Sequence, residues 1–174
     1  MIRSQHRSKA QKYMDGDGVD LDPEKAVQIL IQGADSGDLG CFFDLAEAFL
    51  DGVPEDDPEK AVKYLEAAGN NGHGKSCAML SELYTTGTVA FAAEDIVRPN
   101  AERSFEWARL GAEAGDPECL VKMSQFLLAN DDKAMAEIYL KKCLSLDAQE
   151  VPEYKAKEVE KIQGDAQSLL SQNF

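Results

Sequence analysis

The sequence predicts an all-α fold, a right-handed superhelix of about four antiparallel helix pairs that a C-terminal helix caps. The first observation is an internal repeat, because the hexapeptide Asp22–Val27 returns as Asp57–Val62, shifted by 35 residues. A period of this length is too short for a domain and fits one helix–turn–helix unit. The second observation is that both copies share the same start and stop signals. The third is that apolar residues recur at helical spacing between those signals. We therefore predict a single repeat domain over residues 1–174.

The second helix of each predicted pair begins at an aspartate and ends at a glycine. Asp22 and Asp57 suit the capping position, and the proline after each suits the first helical position. Gly37 and Gly72 stand where a left-handed residue ends a helix. A looser third copy of this helix covers residues 103–115.

The first helix of each pair shows a small residue directly after a Leu or Met. This pattern lets the two helices of a hairpin approach closely, and it recurs as Leu45-Ala46, Leu80-Ser81 and Met123-Ser124. The predicted repeats cover approximately residues 3–37, 38–72, 73–115 and 116–147. A capping helix is predicted over 152–172, where Tyr154, Val159, Ile162, Leu169 and Leu170 seal the last repeat. We expect its charged string, Lys155–Lys161, to face water.

The order of these residues resembles the Sel-one-like repeat family, which is related to tetratricopeptide repeats. The segments Tyr13–Ala26 (YMDGDGVDLDPEKA) and Lys60–Gly72 (KAVKYLEAAGNNG) carry the resemblance, which extends over roughly residues 3–145. Departures from the family pattern stand at Ala46, Ser81 and Ser124 in place of glycine, at Ile29 in place of tryptophan, and at Asn130–Asp132 in place of a glycine turn. The resemblance implies a solenoid that binds partners and says almost nothing about activity.

The four cysteines are widely spaced, at Cys41, Cys77, Cys119 and Cys143. No Cys-x-x-Cys pair occurs, and no histidine stands at metal-ligand spacing from them. We predict reduced core thiols and no metal. The resemblance adds that cysteine-rich exported relatives carry paired cysteines in every repeat. This chain lacks such pairs, which favours a reducing compartment.

Catalytic residues are scarce. The two histidines, His6 and His73, lie in different repeats, and we expect His73 to be solvated in a turn between repeats. Ser76 and Ser81 lie near His73, but no recognisable motif supplies a carboxylate to them. Gly74-Lys75-Ser76 lacks the upstream glycine and the strand of a phosphate loop. We predict no enzymatic activity and no cofactor.

The chain is strongly acidic, with 32 acidic and 18 basic residues and a net charge of −14. This charge repels nucleic acid and anionic membranes, so neither is an expected partner. Two interpretations stay open: the charge keeps a repeat protein in solution, or it steers a basic partner. No segment reads as a membrane span, and we expect a cytoplasmic location unless the chain is a fragment of a longer exported protein.

A partner site is predicted on the concave face, which the first helices line in helical repeat proteins. Its candidate residues are Phe43, Glu47, Leu50, Ala78, Glu82, Thr85, Val121, Gln125 and Leu128. The alternative is that the apolar members pack between neighbouring units. A second candidate is an insertion of eight residues between Gly87 and Arg103, which contains Phe91 and Ile96. This loop either contacts a partner or folds back onto its own hairpin.

Three functions follow from these observations. The first is a non-catalytic protein–protein interaction scaffold or adaptor that binds a protein or peptide. The second is an acidic inhibitor or immunity protein that neutralises a basic enzyme or toxin. The third, which only the resemblance suggests, is a hydrolase of cell-wall-type compounds. The sequence leaves the oligomeric state open.

Overall fold

The computed structural model describes residues 4–88, 96–151 and 153–174. These residues form nine α-helices and no strand, which confirms the all-α repeat solenoid. The helices are α1 (Gln5–Asp15), α2 (Pro23–Asp35), α3 (Leu39–Leu50), α4 (Pro58–Asn70), α5 (Gly74–Thr86), α6 (Ala101–Glu113), α7 (Pro117–Ala129), α8 (Lys133–Leu144) and α9 (Ala156–Asn173). The first helices α1, α3, α5 and α7 each pair with the helix that follows them.

The predicted helix signals are observed. The Asp22 side chain accepts a hydrogen bond from the Lys25 amide at 3.0 Å, and Asp57 does the same for Lys60 at 2.9 Å. Both caps satisfy an amide that a helix start otherwise leaves without a partner. Gly72 ends the second unit with a φ of 90°, a left-handed conformation that favours glycine.

One backbone hydrogen bond closes the first three helix pairs in the same way. The amide of the residue that caps the second helix donates to the carbonyl of an aromatic residue near the end of the first helix. The pairs are Asp22–Tyr13 at 2.9 Å, Asp57–Phe49 at 3.2 Å and Asn100–Tyr84 at 2.7 Å. The third unit keeps this bond although its connection is longer. The fold therefore accommodates the insertion without changing the hairpin.

The described end of the insertion folds back onto its own hairpin. The amides of Ile96 and Val97 both donate to the Gly87 carbonyl, at 2.7 and 3.0 Å, and both side chains pack against the core. This position agrees with the fold-back alternative for Ile96. Phe91 lies outside the described residues.

Consecutive repeats meet where a thiol packs on a glycine. Each contact joins a glycine of a second helix to a cysteine of the next first helix, in the pairs Gly33–Cys41, Gly69–Cys77 and Gly111–Cys119. A Cβ atom built on Gly33 would lie 2.3 Å from the Cys41 sulfur, and one on Gly111 would lie 2.2 Å from the Cys119 sulfur. These positions have no space for a larger residue. All four cysteines are buried and unbridged, as predicted.

Helix α9 covers the end of the solenoid by packing on α7 and α8. Val159 and Ile162 are buried, and Lys155 and Lys161 are exposed, as predicted; Ala166 is buried as well. The predicted helix start at residue 152 is wrong, because α9 begins at Ala156. Lys155 has an extended backbone, and its amide donates to the Glu158 carboxylate at 2.6 Å, which caps the helix there. Tyr154 therefore precedes the helix and is free to pack elsewhere.

Candidate functional site

Three cavities follow one another along the first helices, with volumes of about 300, 390 and 450 Å³. The first two share Glu47 and Asp51 as lining residues, and the last two share Lys75, Ala78, Glu82 and Glu118. The three cavities therefore form one continuous trough from α1 to α9, which we call the inner groove.

The inner groove collects most of the predicted contact residues. Seven of the nine line it: Phe43, Glu47, Leu50, Ala78, Glu82, Val121 and Gln125. Thr85 is exposed but is not among the residues that line the three cavities; its hydroxyl donates to the Ser81 carbonyl at 2.8 Å and lies 2.7 Å from the Ser104 hydroxyl of α6. Thr85 therefore serves the contact between α5 and α6. Leu128 is half-buried and is not among the residues that line the three cavities.

Phe43 forms part of the floor of the groove and offers little surface to a partner. It is 2% exposed, and its ring lies 5.5 Å from the His73 ring. The ammonium group of Lys75 lies 5.2 Å from the Phe43 ring centre, in the groove. For this residue, packing within the solenoid is the interpretation that the structure supports. Leu50 is half-buried at the groove.

A two-residue segment ahead of α9, Glu153–Tyr154, packs against the first helices, and we call it the strap. The Glu153 carboxylate accepts two hydrogen bonds from Arg7 of α1, at 2.8 and 2.9 Å. Arg7 also donates to both carboxylate oxygens of Asp44 on α3, at 2.7 and 2.8 Å. A buried guanidinium thus joins α1, α3 and the strap. Burial alone would raise the pKa of Glu153, but His73 and Arg7 outweigh it and lower that pKa to about 2.

The strap continues to α5 and α7. Lys75 of α5 donates from Nζ to the Glu153 carbonyl at 2.9 Å and lies 4.9 Å from the ring centre of Tyr154. The Tyr154 hydroxyl donates to Asp116, the cap of α7, at 2.8 Å. Burial raises the pKa of Asp116, and it raises the pKa of Tyr154 as well. The strap therefore links the beginnings of α1, α5 and α7, and Arg7 extends this link to the middle of α3.

The expectation that His73 is a solvated turn residue is wrong. It is 8% exposed and caps α5, where its Nδ1 accepts the Ser76 amide at 3.2 Å. The Ser76 hydroxyl lies 2.8 Å from Nδ1, and a Glu153 oxygen lies 3.7 Å from Nε2. The sequence did not anticipate this carboxylate, which comes from the other end of the chain. The grouping resembles a nucleophile, a base and an acid, but Ser76 is fully buried and out of reach of a substrate.

The thiols have the properties of core residues. Burial raises the pKa of Cys41 and of Cys77 to about 12 and that of Cys143 to about 11, and it raises the pKa of Cys119 as well. Thiolates are the reactive form, so these cysteines are poor nucleophiles. Within the described ranges, no three His, Cys, Asp or Glu side chains are grouped so that they could hold a metal ion.

The sequence did not predict the strap or its contacts with Arg7, Lys75 and Asp116, and it predicted Tyr154 only as an apolar residue of the capping helix. Asp116 carries a readable signal, because it precedes Pro117 at a helix start, as Asp22 and Asp57 do before their prolines. Arg7 and Glu153 are separated by 146 positions, and nothing in either local sequence points to the other.

None of the nine described helices combines the length and the apolar character that crossing a lipid bilayer requires.

Comparison with known protein families identifies the repeats. A family model described as Sel1 repeat matches residues 10–38, 43–73 and 74–116, which is more than half of the chain. No curated protein matches the chain.

Two solved structures are similar to the chain. A Sel1 repeat protein from Oxalobacter formigenes is 20% identical with a TM-score of 0.65, over 92% of this chain and 62% of that one. A protective antigen of uropathogenic Escherichia coli strains, with an SLR fold, is 20% identical with a TM-score of 0.67, over 97% of this chain and 33% of that one. This chain spans less than two thirds of either protein, and at this identity the likeness shows the fold alone.

Proposed function

The chain belongs to the Sel1 repeat family, and on that premise we propose that it is a non-catalytic module that holds a protein partner in the inner groove. Sel1 repeat proteins are generally protein-interaction modules without catalytic activity. The observation that carries the proposal is the groove itself, because three adjoining cavities offer a continuous surface along the first helices.

The composition of the groove supports a role in recognition. Ala78 and Val121 form an apolar floor together with Phe43, while Glu47 and Gln125 are exposed at its sides. An apolar centre with polar surroundings is the usual anatomy of a protein interface. The partner segment would cover the groove and exchange water for contacts with Leu50 and the polar side chains.

Burial of the one histidine–serine pair in the described residues supports a non-catalytic role. Ser76 is fully buried, and His73 already caps α5 with the nitrogen that faces this hydroxyl. A nucleophile must reach its substrate, so this pair serves the fold. The proposal therefore assigns no reaction to the chain.

The test compares two exposed glutamines replaced by tryptophan. Gln125→Trp fills the inner groove without changing the charge, and Gln28→Trp places the same ring on the exposed side of α2. Immobilised wild type and both variants are incubated with extract from the native host, and the retained proteins are quantified by mass spectrometry. We expect one partner to be retained by wild type and by Gln28→Trp, and to be lost from Gln125→Trp.

Retention of that partner by Gln125→Trp, with unchanged thermal unfolding of the variant, would contradict the groove as the binding face. The inserted segment that contains Phe91 would then be the better candidate. Loss of the partner from both variants would indicate a general effect of the added ring and would equally contradict a site restricted to the groove.

A further inference from the structure

Carboxylates outnumber positively charged side chains among the residues that line the inner groove. The carboxylates are Asp44, Glu47, Asp51, Glu82, Glu118, Glu158 and Asp165. The cations are Arg7, Lys75, Lys122 and Lys161. The groove therefore carries an excess of negative charge. A cleft that is lined mainly by one sign of charge attracts ligands of the opposite sign.

Most of these cations are already engaged within the protein. Arg7 bonds Asp44 and Glu153, and Lys122 forms an ion pair with Glu82. Lys75 bonds the Glu153 carbonyl and lies over the rings of Phe43 and Tyr154. Three of the four positive charges thus have partners in the fold, so an acidic ligand would have to compete with them.

Four carboxylates of the groove lack such partners among the described residues: Glu47, Asp51, Glu118 and Asp165. Neither Glu47 nor Glu118 makes a hydrogen bond or ion pair with another described side chain, and both are exposed to the groove. Their surroundings raise the pKa of each, mainly by reducing the hydration of the carboxylate, and further through nearby carboxylates such as Asp44 and Asp116. Reduced hydration disfavours the ionised form of a carboxylate, and a positive charge placed beside either group would stabilise that form.

The geometry of the two groups suits a segment lying along the groove. Glu47 is on α3 and Glu118 is on α7, and Lys75 of α5 lies between these helices and interacts with both carboxylates. Leu50, Ala78 and Val121 provide apolar surface beside them. Lysine and arginine lay their hydrocarbon stems on such surfaces while the charged ends reach a carboxylate.

We propose that the partner of the inner groove is an extended basic segment, whose lysine or arginine side chains pair with Glu47 and Glu118 on either side of Lys75. This inference rests on the proposed function, in which the groove is the binding face. It adds the chemistry of the partner: positive charges flanked by apolar residues. It predicts that charge at these two positions matters, and that charge elsewhere on the acidic surface does not.

The experiment uses defined peptides as probes. A fluorescein-labelled flexible peptide of lysine, valine and serine is compared with peptides in which glutamine or glutamate replaces every lysine, by fluorescence anisotropy. Each is titrated with wild type, with Glu47→Gln/Glu118→Gln and with the control Glu24→Gln/Glu59→Gln. The control changes the net charge equally at exposed positions in the first turns of α2 and α4.

We expect the lysine peptide to bind wild type and the other two peptides to bind weakly. The groove double variant should lose about tenfold in affinity, because two charge-assisted contacts are weakened, and the control should change less than about twofold. Thermal unfolding of both variants is measured as well. If their melting temperatures are equal, a difference in affinity reflects binding and not stability.

Four different outcomes would contradict the inference. Equal losses in both double variants would show attraction to overall charge and would overturn the inference. Preference for the neutral or acidic peptide would overturn it as well. If no peptide binds, while Gln125→Trp still abolishes capture of a native partner, the basic segment is wrong and the proposed function stands. If the lysine peptide binds Gln125→Trp as well as wild type, it binds outside the groove, which also contradicts the inference.

Discussion

Replacing Glu153 with glutamine removes the charge of the strap and keeps the size of its side chain. Arg7 and Glu153 are only 9% and 26% exposed at their side chains, so water screens this pair weakly. The pKa of Glu153 is about 2 in the fold, against an ordinary value of 4.5. At 1.36 kcal/mol for each pKa unit, the ionised carboxylate stabilises the folded state by about 3 kcal/mol.

The sign of the pH dependence follows from the direction of this shift. Because the folded-state pKa lies below the unfolded one, the stabilisation is complete above pH 4.5 and is lost as the pH falls through about 2. At pH 7, Glu153→Gln should therefore lower the free energy of unfolding by about 3 kcal/mol, or the melting temperature by about 6–12 °C. The difference from wild type should shrink as the pH falls below 4.5.

Urea denaturation from neutral pH down to acidic pH measures this difference directly. The control is Glu160→Gln, which makes the same substitution at an exposed position of α9 and should leave stability nearly unchanged. The reasoning is refuted if Glu153→Gln is as stable as wild type at pH 7. It is also refuted if the two proteins differ equally at every pH, because a charge-dependent contribution must disappear when wild type is protonated.

Two further predictions concern the contacts between repeats. Gly111→Ala should destabilise the protein by about 1–3 kcal/mol in thermal or urea unfolding, since the new methyl group would overlap the Cys119 sulfur. Gly164→Ala on α9 meets open space and should gain up to about 1 kcal/mol, so equal effects of the two would contradict the packing argument. A thiol reagent should label the native protein slowly at pH 8 and the unfolded protein rapidly; rapid native labelling of Cys41, Cys77 and Cys119 would contradict their burial.

The fold was predictable from the sequence because its signals are local. A capping aspartate, a proline and a terminal glycine act within one helix, so Asp22 and Asp57 mark their helix starts regardless of the rest of the chain. The inner stripe of cysteines followed from helical periodicity in the same way. What periodicity could not provide is the exact partner of each thiol, since the fit of Cys119 on Gly111 depends on how two units stack.

The groove was predictable in outline, and the strap was not. Helical spacing places Glu47, Ala78 and Gln125 on one side of their helices, where the groove is found. Thr85 shares that spacing, but its hydroxyl donates to the Ser81 carbonyl of its own helix and contacts the Ser104 hydroxyl of α6, and a pattern of positions does not record such contacts. Glu153 and Tyr154 lie ahead of α9 although the sequence placed Tyr154 on the capping helix, and their partners are set only once all four units have stacked.

The strap limits how this protein could be lengthened during evolution. A solenoid in which each unit contacts only its neighbours can gain a unit by duplication, because the new copy satisfies the same contacts as the old ones. Here Arg7 of the first unit and Asp116 of the fourth are bound by adjacent residues of one short segment. A duplicated pair between them would move α1 away by roughly 10 Å, the spacing of packed helices, and Glu153 would no longer reach Arg7. The strap thus fits a solenoid of four helix pairs. Gene duplication that adds a pair would remove the hydrogen bonds between Arg7 and Glu153 and destabilise the fold, an effect that a solenoid without such a segment does not have.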